Sequence, residues 1–415
     1  MNIIEEMGVK ARKSQKELGL ASTKKKNEIL LNISEKLRRN IDAIIEANKK
    51  DLQNAREKGM SEAMQDRLLL DEKRINAMAD ACVNLTKLED PVGETVSGSV
   101  RPNGMRITKV RVPMGVLGII YEARPNVTVD AGILSIKSGN AVILRGGKEA
   151  IETNKVTSEL MREGAEEAGF DKDIIQLVED TSRESATMMM KANGYIDVLI
   201  PRGGGGLIKS VVENATVPVI ETGTGNCHIF VDESADIDMA VAITDNGKTQ
   251  RPSVCNALET CLVHKNIAEE FLPKMKAKLD EHNVQIRGCE KTAKILGDCV
   301  VPATQDDYAR EFLDYIIAVK VVENEREAIE HIGKYSTGHS ECIVTKSLEN
   351  AVLFKNSVNS AAVYVNCSTR FTDGEEFGLG AEIGISTQKL HARGPMGLRE
   401  LTTMKYIIEG DGQIR

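Results

Sequence analysis

Hydrophobic residues recur at steps of three and four along the first 90 residues, with charged residues between them. Ile29, Ile33, Leu37, Ile41 and Ile44 form one such apolar stripe. This period places apolar side chains on one face of a helix. The pattern therefore predicts that the chain begins with amphipathic helices that pack through this stripe.

The pattern then changes to alternation of apolar and polar residues in "TVSGSVRPNGMRITKVRV", on both sides of Asn103-Gly104. Alternation is typical of β-strands, and Asn-Gly favours a type I′ turn. We therefore predict a β-hairpin over residues 95–112. Because it lies between a helical region and an α/β region, we expect it to project from the body and pair with another strand or subunit.

Short, mostly β-branched apolar runs alternate with amphipathic stretches over residues 113–221. The predicted strands are "GVLGIIY" (115–121), "NAVILR" (140–145), "IIQLVE" (174–179), "YIDVLI" (195–200) and "VPVIE" (217–221). A second series from residue 229 comprises "HIFVD", "ETCLVH", "DYIIAVKVV", "ECIVT" and "AAVYVN", and the tail "LTTMKYIIEG" predicts one more strand. Near-continuous apolar strands that alternate with helices indicate parallel sheets covered on both faces. The predicted fold class is α/β.

Two predicted strands end in glycine-rich turns, "RGGK" (145–148) and "PRGGGG" (201–206). Parallel sheets bind ligands at the carboxyl ends of their strands, and backbone N–H groups at a helix start can bind phosphate. The second turn departs from the dinucleotide fingerprint, because Gly203 and Gly205 fit G-x-G but Ile208 occupies the third glycine position. By itself it predicts either a phosphate site or a tight turn.

Composition narrows the class of protein. The 415 residues are 41% hydrophobic and 28% charged, with a net charge of -8. Such a length predicts two to three domains, and the negative charge argues against nucleic-acid or anionic membrane surfaces. No apolar run is long enough to span a bilayer, and the start of the chain lacks the features of a secretory signal. We therefore expect a cytoplasmic protein that binds neither nucleic acid nor membrane.

The eight cysteines include no C-x-x-C pair and none with histidines at zinc-site spacing. They are predicted to be reduced thiols without a metal. Cys82, Cys261, Cys342 and Cys367 lie in or beside apolar runs and are predicted to be structural. Cys255 is different because Lys248 and Arg251 are near it in sequence, and cations stabilise the nucleophilic thiolate. The residues alone leave a reactive thiol and an ordinary buried sulfur both open.

A resemblance distinguishes these readings. The segment 219–264, "VIETGTGNCHIFVDESADIDMAVAITDNGKTQRPSVCNALETCLVH", resembles the core of the aldehyde dehydrogenase superfamily, in which a Glu-x-Gly motif precedes the nucleophilic cysteine. Here Glu221 and Cys255 have the superfamily's spacing. The chain is more closely similar to the gamma-glutamyl phosphate reductase family, through "YEARPNVTVDA" (121–131), "PRGGGGLI" (201–208), "RPSVCNALET" (251–260) and "EAIEHIGKYSTGHSECIVT" (327–345).

The resemblance implies roles for individual residues. Cys255 matches the nucleophile, Asn126 the oxyanion donor, and Glu221 the position of the superfamily's general base. Glu311 matches the glutamate that holds the nicotinamide ribose, and Arg145 falls where most aldehyde dehydrogenases have a cofactor-binding lysine. The remaining implied cofactor contacts are Gly146, Gly203, Gly204 and Gly205. The candidates for binding the substrate are Arg124, Arg202, His331, His339 and Arg370.

The implied reaction is NADPH-dependent reduction of L-glutamyl 5-phosphate to L-glutamate 5-semialdehyde, with release of phosphate, in proline biosynthesis. It would proceed through a thioester on Cys255. Because a base that activates water would hydrolyse this thioester, we expect Glu221 not to be essential for reduction. The alternatives are an acylating or oxidising aldehyde dehydrogenase with another substrate, and a binding protein that keeps the scaffold without turnover.

The resemblance also implies a domain organisation. Residues 1–94 and 113–221 are expected to form an NADP-binding domain of Rossmann type with the N-terminal helices, and residues 222–397 a catalytic domain. Residues 95–112 and 398–415 are expected to form an oligomerisation hairpin and C-terminal strand, which implies a homo-oligomer of at least two chains. The expected partners are L-glutamyl 5-phosphate and, by functional coupling, glutamate 5-kinase.

Overall fold

The structure, a computed structural model, describes residues 1–122 and 124–415, except for the side chains of residues 62 and 63. Ala123, inside the motif 121–131, is outside this description. The chain divides into two compact units. Unit 1 comprises Met1–Thr222, Gly378–Gly384 and Met396–Arg415, and unit 2 comprises Gly223–Phe377 and Ile385–Pro395. The domain limits expected from the resemblance placed a boundary at 221, and the functions of the two units stay predictions.

Helices and strands alternate through most of the chain. The helices are α1 (Ile3–Leu18), α2 (Thr23–Arg39), α3 (Ile41–Glu57), α4 (Glu62–Leu68), α5 (Glu72–Thr86), α6 (Asn126–Lys137), α7 (Ile151–Glu167), α8 (Arg183–Met190), α9 (Gly205–Asn214), α10 (Ile237–Thr249), α11 (Lys265–Asp280), α12 (Glu290–Leu296), α13 (Gln305–Ala309), α14 (Glu325–Tyr335) and α15 (Leu348–Ser357). The strands are β1 (Thr95–Val100), β2 (Arg106–Pro113), β3 (Val116–Tyr121), β4 (Ala141–Arg145), β5 (Ile175–Leu177), β6 (Val198–Arg202), β7 (Cys227–Val231), β8 (Leu258–His264), β9 (Gln285–Gly288), β10 (Val301–Pro302), β11 (Ile316–Val322), β12 (Ser340–Val344), β13 (Ala362–Val365), β14 (Ile385–Ser386), β15 (Gly394–Pro395) and β16 (Thr402–Glu409). The predicted α/β class is confirmed.

The N-terminal apolar stripe lies on two helices rather than one. Ile29, Ile33 and Leu37 are buried on α2, and Ile44 is buried on α3. Asn40 separates the two helices with φ -116° and ψ 26°, and its side-chain amide donates to the Lys36 carbonyl at 2.9 Å. Asparagine competes with the helix for backbone hydrogen bonds and so favours helix ends. The hydrophobic period does not report such a break.

The predicted hairpin is confirmed, but its predicted turn type is wrong. β1 and β2 pair antiparallel, and the N–H of Gly104 donates to the Arg101 carbonyl at 2.9 Å. Gly104 has φ +88°, whereas Asn103 does not have a positive φ. A type I′ turn needs positive φ at both central residues, and here one of them is Pro102, whose ring holds φ near -65°. The turn therefore has its left-handed residue one position later, at Gly104.

The hairpin pairs with the C-terminal strand of its own chain. β16 pairs antiparallel with β2, from Thr402 opposite Pro113 to Glu409 opposite Arg106, and gives a three-stranded sheet in the order β1-β2-β16. The expectation that the hairpin finds a partner strand is thus confirmed. β1 and β16 form the edges of this sheet.

The core of unit 1 is a parallel four-stranded sheet in the order β5-β4-β3-β6. The predicted strand at 217–221 is wrong, because this segment makes only an isolated bridge between Val219 and Leu199. The Leu199 N–H donates to the carbonyl of Pro218 at 2.8 Å. Pro218 itself has no N–H to donate, so the ladder cannot continue through it.

Unit 2 is built on a parallel seven-stranded sheet in the order β10-β9-β11-β8-β7-β12-β13. Its central strand β8 is buried along its whole length. The apolar core on one face includes Ile229, Cys261, Phe271 and Val319. β9 and β10 were not predicted, because they are short and do not have the apolar run of a buried strand. The chemistry described below depends on the segments that lead into β7, β8 and β11.

Within the described part of the chain, no helix is long and apolar enough to cross a bilayer. The same residues contain no group of three or more His, Cys, Asp or Glu side chains arranged to hold a metal ion.

Unit 2 buries four histidines, and two of them, His331 and His339, are predicted substrate residues. His331 is 5% exposed, and its ring centroid lies 4.6 Å from that of Tyr335 and 5.0 Å from that of Tyr308. Burial lowers the pKa of His331 to about 3 and the pKa of His339 to about 4, from an ordinary value of 6.5. Both imidazoles are therefore neutral in the folded protein near pH 7.

Acidification should destabilise the protein through these groups. The unfolded chain binds protons at histidine below pH 6.5, whereas folded His331 does not until about pH 3, so the free energy of unfolding falls as the pH falls between these values. By this linkage His331 costs about 2 kcal/mol at pH 5. His331→Phe, which keeps an aromatic ring, should show a weaker loss of stability between pH 7.5 and pH 5 in urea unfolding followed by circular dichroism. His282→Gln, at an exposed position, serves as the control, and equal pH slopes for His331→Phe and the wild type would contradict the assignment.

Candidate active site

Cys255 lies on a turn between α10 and β8 and is half-buried. As predicted, the residues after it enter a strand. The next residue, Asn256, stabilises the turn. Its side-chain amide donates to the carbonyls of Arg370 at 3.2 Å and Thr372 at 2.9 Å, and its backbone carbonyl accepts from the Thr369 hydroxyl at 2.8 Å. These bonds bring the predicted substrate residue Arg370 to the Cys255 turn.

The loop before β7 packs on the other side of this turn. A Cβ atom on Gly225 would lie 1.4 Å from the carbonyl oxygen of Cys255, so no side chain fits at this position. The Cys227 thiol donates to the same oxygen at 3.2 Å. Residues 225–227 thus contact the carbonyl oxygen of Cys255 and fix the backbone at this position.

Glu311 meets this loop from the segment that precedes β11. Its carboxylate accepts the Gly225 N–H at 2.7 Å, and burial raises its pKa. Through Gly225, the structure brings the predicted ribose-binding glutamate and the predicted nucleophile into one cluster. The cluster lies at the amino ends of β11, β8 and β7, which are adjacent in the sheet. The role of Glu311 in binding a cofactor stays a prediction.

Lys248 does not supply the cation suggested by its position in the sequence. Its side chain is fully buried, and its Nζ lies 2.7 Å from Glu259. Burial raises the pKa of Glu259 to about 7, although Lys248 opposes this shift. The other carboxylate oxygen of Glu259 accepts the N–H of Leu313 at 3.1 Å, and Leu313 has φ +56°, which is strained for a branched side chain. The ion pair therefore supports the segment that carries Glu311.

Sequence reasoning missed Glu259, although a charged residue inside the apolar run "LETCLVH" was a signal of a buried partner. Among the described residues, Arg370 is a cation whose backbone is bonded to the Cys255 turn through Asn256, and its Nε donates to Gln250 at 3.0 Å. Burial lowers the pKa of Arg370 and so does the charge of Arg251, whereas a negative charge on Cys255 raises it. The charges of Arg370 and of a Cys255 thiolate therefore attract one another, and a cation of this kind favours a thiolate.

Asn126 opens α6 in unit 1 and is exposed. Its amide donates to Asp130 at 2.9 Å. Burial raises the pKa of Asp130 to about 6, which the Asn126 hydrogen bond and the charge of Arg202 oppose. A primary amide has two N–H groups, so one can orient the side chain while the other donates to an oxyanion. Of the other predicted residues, Arg124 lies two positions before Asn126, and Arg202 ends β6, where its guanidinium lies 4.0 Å from Glu382.

The predicted phosphate-binding turn forms the start of α9. Gly203 follows β6, Gly204 is the residue before the helix, and Gly205 is its first residue. The Gly204 N–H donates to the carboxylate of Glu122 at 2.8 Å, and a Cβ atom on Gly203 would lie 2.6 Å from the same carboxylate. The helix start thus already binds an anionic oxygen, so its donors fit a phosphate group.

Arg145 ends β4, as predicted. Its guanidinium donates to the carbonyls of Thr181 at 2.7 Å and Ser182 at 2.8 Å, its buried Nε has no partner among the described residues, and burial lowers its pKa. Gly146 follows, and a Cβ atom there would lie 2.2 Å from the amide nitrogen of Asn154. An orphaned donor and a bare backbone at a strand's carboxyl end fit a phosphorylated cofactor, and both roles stay predictions.

Three predicted residues remain. Glu221 is half-buried in the segment that follows the bridge at Val219, and its function as a base is untested. His331 and His339 are buried and neutral, which favours structural roles over binding of an anionic substrate.

The chain matches the model of the aldehyde dehydrogenase family over residues 3–297. It therefore belongs to the aldehyde dehydrogenase family, which uses a nicotinamide cofactor to act on aldehyde groups. It is 60% identical to the gamma-glutamyl phosphate reductase of Clostridium perfringens over 408 residues, with 98% of each chain covered. It is 58% identical to that of Caldanaerobacter subterraneus subsp. tengcongensis over 412 residues, 99% of each chain. The crystal structure of gamma-glutamyl phosphate reductase from Thermotoga maritima superimposes with a TM-score of 0.97 at 52% identity, with 100% of both chains covered. Within its family the chain thus groups with the gamma-glutamyl phosphate reductases.

If the start of α9 binds a cofactor phosphate, as predicted, Glu122 should oppose this binding, because its carboxylate occupies an N–H group and repels phosphate. Glu122→Gln should therefore lower the Kd for NADPH about threefold to tenfold, as expected for one exposed charge. Calorimetric titration measures this effect. Glu166→Gln, at an exposed carboxylate near the end of α7, should leave the Kd unchanged. Weaker binding by Glu122→Gln would show that the start of α9 is not where a phosphate binds.

Proposed function

We propose that this chain reduces L-glutamyl 5-phosphate to L-glutamate 5-semialdehyde with NADPH, releases phosphate, and uses Cys255 as the covalent nucleophile. The observation that carries this proposal is the half-buried Cys255 turn, held by Gly225 and by Asn256, whose amide bonds to the carbonyl of Arg370. The names of relatives that are about 60% identical over nearly the whole chain support the substrate. They do not favour the alternative of another aldehyde dehydrogenase reaction.

The first step is attack of the Cys255 thiolate on the acyl carbon. A C–S bond forms, the bond from the acyl carbon to the phosphate oxygen breaks, and phosphate leaves with the electron pair. The backbone N–H of Cys255 would donate to the developing oxyanion, and the resemblance implies the second N–H of Asn126 as a further donor. Arg370 favours the thiolate and attracts the phosphate dianion. Since an acyl phosphate is already activated, the protein mainly supplies the nucleophile and its orientation.

When bound, the nicotinamide cofactor supplies the hydride that converts the thioester to the aldehyde and returns the Cys255 thiolate. Gly203–Gly205 and Gly146 would hold its phosphates through bare backbone, and Glu311 would accept from its ribose hydroxyls. The preference for NADP is proposed from Arg145, because a permanent cation suits a 2′-phosphate. A general base that activates water would hydrolyse the thioester. Glu221 is therefore assigned no proton transfer in reduction.

The proposal extends to a cytoplasmic homo-oligomer that joins through the sheet β1-β2-β16. Val100, Tyr406 and Ile408 on its two edge strands are 67%, 62% and 61% exposed. Exposed apolar edge strands are sites where chains associate. Because an acyl phosphate is labile in water, we also propose functional coupling to the kinase that makes it, glutamate 5-kinase.

Replacement of the nucleophile tests the covalent route. Cys255→Ala should lose at least about 10⁴-fold of the NADP reduction that depends on semialdehyde and phosphate, since residual turnover would rest on binding alone. Cys299→Ala, at an exposed cysteine, should keep wild-type activity. Activity that survives in Cys255→Ala would refute the thioester. Turnover of other aldehydes with coenzyme A in place of phosphate would favour an acylating dehydrogenase instead.

Replacement of Glu221 tests whether a general base takes part. Glu221→Gln should keep kcat for phosphate-dependent turnover within about threefold, because no water is activated in this reaction. Cys255→Ser provides the inactive reference in the same assay. If Glu221→Gln is as inactive as Cys255→Ser, the carboxylate is required and the assignment is wrong.

A further inference from the structure

A second cysteine contacts the backbone carbonyl of the proposed nucleophile. Cys227 is the first residue of β7 and is fully buried. Its Sγ lies 3.2 Å from the carbonyl oxygen of Cys255 and 3.7 Å from Nδ1 of His339. Gly225, two residues earlier, packs against the same carbonyl oxygen. One short segment therefore holds this oxygen by a close backbone contact and by a thiol donor.

The contact belongs to a chain of hydrogen bonds that returns to the Cys255 turn. Nδ1 of His339 lies 2.8 Å from the Ser340 hydroxyl, which lies 2.6 Å from the Thr372 hydroxyl. The carbonyl of Thr372 accepts the amide of Asn256 at 2.9 Å. These hydrogen bonds thus connect Cys255, through its carbonyl, with Asn256, through its side chain. The residues that form them come from β7, from the start of β12 and the residue before it, from the loop after β13, and from the turn before β8.

The protonation of the Cys227 thiol suits a hydrogen-bond donor rather than a nucleophile. Burial raises its pKa well above the ordinary value, and the nearby charges of Glu341 and Cys255 raise it further. Cys227 therefore keeps its proton at neutral pH and can donate S–H to a carbonyl. Cys261, on the neighbouring strand β8, is equally buried but packs within the apolar core of unit 2.

We propose that Cys227 is a positioning residue for Cys255, whose thiol holds the Cys255 carbonyl and so sets the direction of the nucleophilic sulfur. A fixed carbonyl restricts rotation about the Cα–C bond of Cys255, and the same Cα carries the reacting side chain. Preorganisation of this kind lowers the barrier of a step that needs one orientation of the nucleophile. The effect on catalysis rests on the proposed function, whereas the effect on thiol reactivity does not.

The test compares wild type, Cys227→Ala, Cys227→Ser and Cys261→Ala, each shown to be folded by circular dichroism. The first readout is the rate at which iodoacetamide alkylates Cys255 from about pH 6 to pH 10, followed by peptide mass spectrometry. The second is kcat and KM for semialdehyde- and phosphate-dependent NADP reduction. For Cys227→Ala we expect the alkylation rate at its high-pH plateau and kcat to fall about tenfold, the size expected when one buried carbonyl loses its donor, with KM values within twofold. Cys227→Ser should recover most of both, and Cys261→Ala should resemble the wild type.

Wild-type alkylation and kcat in Cys227→Ala would overturn the proposal, as would equal losses in Cys227→Ala and Cys261→Ala, since these would reflect a cavity alone. If Cys227→Ala does not fold, Cys227→Thr and Cys227→Val replace it, because they share a shape and only threonine has a donor. Faster alkylation in the threonine variant supports the proposal, and equal rates contradict it. Slower alkylation in Cys227→Ala combined with an active Cys255→Ala would uphold the positioning role and refute the proposed function.

Discussion

The carbonyl oxygen of Cys255 occupies the space where any side chain on residue 225 would lie, and the candidate site of unit 2 depends on this close approach. It brings the loop before β7 against the turn before β8. Glu311, from the segment before the neighbouring β11, binds the Gly225 N–H and completes the arrangement. Three adjacent parallel strands therefore present their preceding segments at one edge of the sheet, where a thiol, a carboxylate and bare backbone meet.

Buried charge supports this arrangement from inside unit 2. An ion pair removed from water costs desolvation free energy, so Lys248 and Glu259 are stable there only because each satisfies the other and Glu259 also accepts the Leu313 N–H. That last bond holds a residue in left-handed backbone two positions after Glu311. Lys248 is close to Cys255 in the sequence, but it contacts Glu259 instead. Through Glu259 it supports the segment that carries Glu311, the cofactor-binding carboxylate of the proposed function.

Features that depend on local pattern were predictable. The alternating residues around Gly104 predicted the hairpin, and the apolar runs predicted the main strands of both sheets. Single residues that change backbone hydrogen bonding were the source of error. Pro102 excludes the predicted turn type, Pro218 prevents a fifth strand in the parallel sheet of unit 1, and Asn40 divides the first apolar stripe. Hydrophobic periodicity does not register any of these effects.

The site was harder to predict, because its members meet through the order of strands in a sheet and not through sequence spacing. The general rule that parallel sheets bind ligands at the carboxyl ends of their strands points to the glycine turns of unit 1, whereas the Cys255 cluster lies at the amino ends of its strands. Family resemblance supplied the candidate roles of Cys255 and Glu311. Neither pattern nor resemblance indicated Cys227, whose position behind the nucleophile follows from the pairing of β7 with β8.

The central claim is that the reaction passes through an acyl group on Cys255, and trapping this species tests it most directly. The enzyme is mixed with semialdehyde and NADP in the absence of phosphate, quenched in acid, and digested for peptide mass spectrometry. We predict a burst of NADPH close to one equivalent per chain and a glutamyl adduct on the peptide that contains Cys255. A burst without an adduct, or an adduct on another cysteine, would contradict the account.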